Sequence, residues 1–173
     1  MSDIIKKLSA PLEPKDVYLF PKKIGKTAQG KYYGLFIVYK TSRSVIERLN
    51  DVLGVDWWDE YEHDHHGSLC CKLTIKTESG TTTRIGVGTP KTLEKDKAEY
   101  SDALKVASVK FGIGLELYKM PTLFIKLEDY EVMPDGKLNT FEVDLKKWEV
   151  KYKYDGEVKD LQIFDSKGNK RWG

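Results

Sequence analysis

The sequence predicts an α+β fold: a β-β-β-α core, in which an antiparallel meander is packed by a long helix, with a C-terminal β-hairpin extension. Three observations lead there. Segments 57–64, 68–78 and 81–88 read as three successive strands, and residues 94–114 follow with helical periodicity. Near the end, "WEVKYKY" and "KDLQIFD" read as two strands around a turn.

The elements follow in chain order. "SDIIKKLSA" makes about two helical turns, after which Pro11, Pro14 and Pro21 exclude a longer helix and predict an extended arm. "KYYGLFIVYK" (31–40), dense in aromatic and β-branched residues, reads as a strand. "TSRSVIERLNDVLG" (41–54) is a helix whose Val45, Ile46, Leu49, Val52 and Leu53 draw one apolar stripe. Thr41 or Ser42 suits its N-cap, Ser44 and Glu47 suit a capping box, and Gly54 suits its C-terminal cap.

In "SLCCKLTIKTE", Leu69, Cys71, Leu73 and Ile75 alternate with Cys70, Lys72, Thr74 and Lys76, the period of a half-buried strand. Gly80 marks the next turn. In the long helix, Tyr100, Ala103, Leu104, Ala107, Ser108 and Phe111 share one sector, and the small residues keep that face shallow enough to lie close on a sheet. Gly112 and Gly114 stop it. A strand at 122–127, the loop around "MPDGKLN" and the closing hairpin complete the chain. We expect one domain over 1–173: an N-terminal helix and arm (1–30), a core (31–121), and a C-terminal strand and hairpin (122–173).

The chain carries 29 basic and 27 acidic residues, a net charge of +2, so any polyanion site must come from local segregation of charge. "DWWDEYEHD" is acidic, while "PKKIGK" and "YKTSRS" lean basic. No apolar run approaches a membrane span and no secretory signal precedes the fold, so a cytoplasmic location is expected. No GxGxxG, P-loop or flanked Ser or Cys nucleophile occurs, and nothing argues for an enzyme or a cofactor.

One cluster invites a zinc reading. "EHDHHGSLCCK" holds His63, His65, His66, Cys70 and Cys71, all the histidines and cysteines of the chain. Adjacent cysteines on a strand point to opposite faces, and no CxxC, HxxxH or HExxH spacing is present. We read Cys71 as a small core residue and the histidines as polar turn residues. A zinc enzyme built on this cluster is the least favoured of three functional readings.

Basic residues interleaved with aromatics are more informative. Lys22, Lys23, Lys26, Lys31, Tyr32, Tyr33, Tyr39, Lys40 and Arg43 cluster in sequence, as do Lys91, Lys95, Lys97, Lys105 and Lys110. Single-strand binders combine a cationic track for phosphates with aromatic faces for bases.

"KAEYSDALKVASVKFGIGLELYKMP" (97–121) closely resembles the signature helix of phage Sak-type single-strand annealing proteins, members of the Rad52 superfamily. The matching residues are Ser101, Asp102, Ala103, Leu104, Lys105, Ala107, Lys110, Phe111, Gly112, Ile113 and Gly114. A preceding helix, an acidic Trp-bearing strand and a meander ending in G-x-G follow the same order, so the resemblance covers about residues 10–121.

That resemblance implies DNA recombination and repair by a phage-encoded, non-enzymatic protein of the host cytoplasm. It implies single-stranded DNA as ligand, homo-oligomeric rings or filaments, a possible single-strand-binding partner protein, and neither metal nor cofactor. Lys105 matches the groove-lining lysine, and Arg43 lies one position from a DNA-contacting arginine. Val106, Val109 and Leu115 stand where basic residues are common, so Lys97, Lys110 and Arg84 are the expected substitutes. The alternative reading is an accessory module that coats single strands without annealing them.

Overall fold

The computed structural model describes residues 3–89 and 95–173, with side chains in the second stretch from Ala98 onward. Its elements confirm an α+β chain with nine described strands in three antiparallel sheets of three. Two compact units emerge: Met1–Leu12 with Lys40–Leu115, and Glu13–Tyr39 with Glu116–Gly173. Among the described residues no helix is long and apolar enough to cross a membrane.

The first unit is the meander and its helices. Strands β3 (Trp57–His63), β4 (Leu69–Thr77) and β5 (Gly80–Val87) pair in that order, with Tyr61 opposite Cys71 and Cys71 opposite Gly86. Helix α3 (Lys95–Val109) lies on the face carrying Leu69, Cys71, Leu73 and Ile75, all buried. The close approach depends on Gly86: a Cβ there would sit 2.2 Å from the Ala107 nitrogen and 2.3 Å from the Ala103 oxygen. Ala103, Leu104, Ala107, Ser108 and Phe111 are buried as the periodicity predicts, whereas Tyr100 stays 43% exposed with its ring against Tyr61.

Cys70 and Thr74, expected on the solvated face of β4, are also buried. The reason is position: β4 is the central strand, so neighbours on both sides cover its second face. The Thr74 hydroxyl meets that of Thr83 at 2.8 Å.

Helix α2 (Ser42–Leu53) buries Val45, Leu49 and Leu53, each burial worth about 1.5–3 kcal/mol. Ile46, expected in the stripe, lies at its margin and is 38% exposed. Thr41 is the N-cap, accepting from the Ser44 nitrogen at 3.1 Å, and Ser44 is buried against it, so the Ser44–Glu47 capping box does not form. The short helix α1 (Asp3–Leu8) is held by Arg48 of α2, which donates to the carbonyls of Lys7, Leu8, Ala10 and Pro11. A guanidinium thus satisfies the carbonyls that a helix C-terminus leaves unpaired.

Helix α3 ends earlier than the periodicity suggests. The Gly112 nitrogen donates to the Val109 oxygen and the Ile113 nitrogen to the Ser108 oxygen, with Gly112 at φ +92°, which is a Schellman termination. Gly112 also abuts Ser9, where a Cβ would come within 2.5 Å of its side chain.

In the second unit, β1 (Val17–Lys26), β2 (Tyr32–Lys40) and β6 (Leu123–Lys126) form one sheet in the order β1-β2-β6. Residues 17–26, expected within an extended arm, are therefore a paired strand. Pro21 fits because β1 is an edge strand, where one side of the backbone needs no donor. The closing hairpin, β7 (Glu149–Tyr154) with β8 (Val158–Phe164), gains a third strand, β9 (Lys170–Trp172). Arg171 of β9 makes two hydrogen bonds to the buried Glu131 carboxylate, at 2.8 and 2.7 Å, and lies over the Trp148 ring.

Candidate nucleic-acid interface

The outward side of α3, opposite its buried sector, carries Asp102, Lys105, Val106 and Val109, all half-buried. The Lys105 ammonium lies 3.3 Å from the Asp102 carboxylate, which also accepts from the Thr89 nitrogen at 3.1 Å. Burial works to raise the Asp102 carboxyl, but the Lys105 ammonium and the Thr89 N–H outweigh it and hold it below the usual carboxylate range. Asp102, a matched signature residue, therefore both orients Lys105 and partly neutralises it.

Arg43 stands exposed at the start of α2 and makes no ion pair with a described residue. Its neighbour Ser42 reaches the Ser101 hydroxyl at 3.4 Å, one helical turn before Lys105. The start of α2 thus adjoins the Lys105 side of α3.

The other expected residues sit elsewhere. Lys110 donates to the Ile85 carbonyl of β5, and the Arg84 guanidinium lies 5.9 Å from the Phe111 ring centre. These two are neighbours at the β5–α3 contact, about 140° around the helix from Lys105 at 100° per residue. Lys97 has its backbone in α3 and its side chain outside the described residues, and Lys91 lies outside them altogether.

Much of the K-F-G-I-G signature is architectural. Phe111 and Ile113 are buried, Gly112 closes the helix, and Gly114 (φ +68°) makes room for Lys40. Lys40, which the sequence groups with the cationic cluster, is only 5% exposed and donates to the Ile113 carbonyl. Its alternation with buried Gly34, Phe36 and Val38 along β2 carries that signal, but a lysine reads as solvated by default.

The histidine–cysteine stretch is a turn and a strand start. Asp64 accepts from the His66 and Ser68 nitrogens, and Cys70 and Cys71 are both buried on successive positions of β4. Burial pushes the Cys71 thiol up to about 11, against the lowering effect of its hydrogen bond with Tyr61. Among the described residues no group of three or more His, Cys, Asp or Glu side chains converges as a metal would require.

A three-stranded meander closed by a helix with Lys105 on its outward side forms a β-β-β-α module. A family model described as Rad52/22 family double-strand break repair protein matches residues 1–134, and the chain belongs to that family. The chain is similar to a protein named single-stranded DNA-binding protein DdrA from Deinococcus radiodurans, 29% identical over 130 residues, covering 75% of this chain and 61% of that one. It is similar to the DdrA protein of Deinococcus deserti at 29% over 141 residues, covering 78% and 66%. The match thus spans under two thirds of the length of these relatives. No solved structure matches.

Proposed function

We propose that this chain binds single-stranded DNA and speeds annealing of complementary strands in recombination or repair. The observation that carries the reading is the Rad52/22 family match over residues 1–134, which includes the whole meander and α3. The names of the two Deinococcus relatives support the ligand. Lys105 leads the phosphate contacts and Arg43 adjoins it, with Lys97, Arg84 and Lys110 as further contributors. Residues 1–173 act as one annealing domain, assembled into a ring or filament, with a single-strand-binding protein as a partner.

No bond is made or broken in this reading. A held strand is extended, its phosphate repulsion is reduced, and its bases are left free to pair. A second reading, a coating module that does not anneal, is favoured by one observation: the Asp102 carboxylate sits on Lys105 while Val106 and Val109 flank it on the same side.

The test is annealing of complementary labelled oligonucleotides by wild type, Lys105→Ala and Arg43→Ala. Acceleration by wild type and a several-fold slower rate for Lys105→Ala are expected. Binding without acceleration selects the coating reading, and full activity of Lys105→Ala removes that residue's assignment.

A further inference from the structure

The β1-β2-β6 sheet carries an aromatic face that the α3 site does not use. On β2, Gly34, Phe36 and Val38 point to the buried side, so Tyr33, Leu35, Ile37 and Tyr39 share the opposite side. The register places Phe124 opposite Leu35 and Lys126 opposite Tyr33 on that same side. The Phe124 ring stacks on Tyr33 at 4.9 Å and 18°, yet Phe124 remains 45% exposed. At the other edge, Phe20 meets Tyr39 edge-on at 6.2 Å and remains 52% exposed.

The charge around this face is one-sided. From Val17 to Tyr39 the chain contains four lysines and no Asp or Glu, and β6 adds Lys126 with no acid. Lys22, Lys23, Lys26, Lys31 and Lys126 are all exposed. A second copy docked symmetrically on this face would bring like lysines together, which is repulsive. A polyanion with flat apolar rings satisfies both the cations and the phenyl faces.

We propose that this face is a base-stacking surface for single-stranded DNA, with Phe20 and Phe124 as stacking rings and the hairpin lysines meeting the phosphates. It rests on the ligand assigned above but adds a contact of a different chemistry, to bases and not to backbone.

The experiment compares binding of a short oligothymidylate with binding of an abasic deoxyribose-phosphate chain of equal length. The proteins are wild type, Phe20→Ala/Phe124→Ala, and Phe20→Leu/Phe124→Leu, which keeps apolar bulk without the rings. Loss of the two rings weakens oligothymidylate binding by about 10-fold per ring and leaves abasic binding unchanged. Equal binding of oligothymidylate by all three proteins overturns the proposal while leaving the DNA-binding function intact. So does an equal loss on both probes in the leucine variant, or a fall in the mass of the DNA-free protein with unchanged affinity, which makes the face a contact between copies. Wild type that binds neither probe overturns the function itself and this surface with it.

Discussion

Two strand-rich regions of this chain are both rich in aromatic residues and opposite in charge. Strand β3 sets Trp57, Trp58 and Tyr61 among Asp59, Glu60 and Glu62, while the β1–β2 hairpin sets six aromatic residues among four exposed lysines without one acid. A net charge of +2 conceals this division completely. What decides polyanion binding is the sign of charge over a single surface within a Debye length, about 8 Å at physiological salt. Both sheets leave rings in solvent, Trp58 on β3 at 42% exposed and Phe124 on β6 at 45%, so the sign of the surrounding charge is what separates them.

The largest expected effect breaks the meander's half of that contrast. Gly86→Ala puts a methyl into the backbone of α3, and should cost about 2–3 kcal/mol, lowering Tm by roughly 4–12 °C. Thermal unfolding followed by circular dichroism measures it, and an unchanged Tm would contradict the close packing of α3 on β5.

Reversal of charge comes next. Lys22→Glu/Lys23→Glu should weaken single-strand binding roughly tenfold near 0.1 M salt and flatten the log-log salt slope by about 1.4, two contacts at 0.7 each. Glu60→Lys, exposed on β3, should leave affinity unchanged or raise it. Equal losses from both reversals would erase the distinction between the two regions.

A smaller effect concerns Asp102. Its carboxyl is held below the usual range in the folded chain, so the stability it contributes is present above the unfolded pKa, about 3.9, and is lost as pH falls through the folded value. Asp102→Asn should therefore reduce stability at neutral pH and flatten the acid limb of a stability–pH curve. It should also leave Lys105 without its neutralising partner, so binding at neutral pH should hold or tighten. The smallest effect is at Cys71: with its thiol pushed up to about 11, alkylation at pH 8 should require unfolding, as thiol titration with and without denaturant will show.

Signals that are local in the chain were legible. The period of two in Leu69–Ile75, the turn at Gly80 and the 3.6-residue spacing of Ala103, Leu104, Ala107 and Phe111 all produced the elements they predict. The family resemblance rested on the same helix. Within it, however, Asp102 and Lys105 lie on the outward side as an ion pair and Lys110 is exposed, whereas Phe111, Gly112, Ile113 and Gly114 serve the helix end. A motif marks what a family retains, and geometry is needed to divide it into scaffold and site.

Other features depended on partners far along the chain. Residues 17–26 are a strand because β2 lies alongside them, despite Pro21. Lys40 is buried because the Ile113 carbonyl, 73 residues away, accepts from it. Arg171 and Glu131, two ordinary surface types in the sequence, meet across 40 residues in a bidentate pair.

The sequence by itself determined the meander, its helix, the glycine that ends that helix and the segregation of charge, because periodicity, turn chemistry and composition act between near neighbours. Only the tertiary structure decided which lysines are exposed and which are buried or paired, which signature residues are structural and which aromatic rings stay in solvent. Those outcomes follow from burial, and burial is set by whatever the fold brings from elsewhere to cover a side chain.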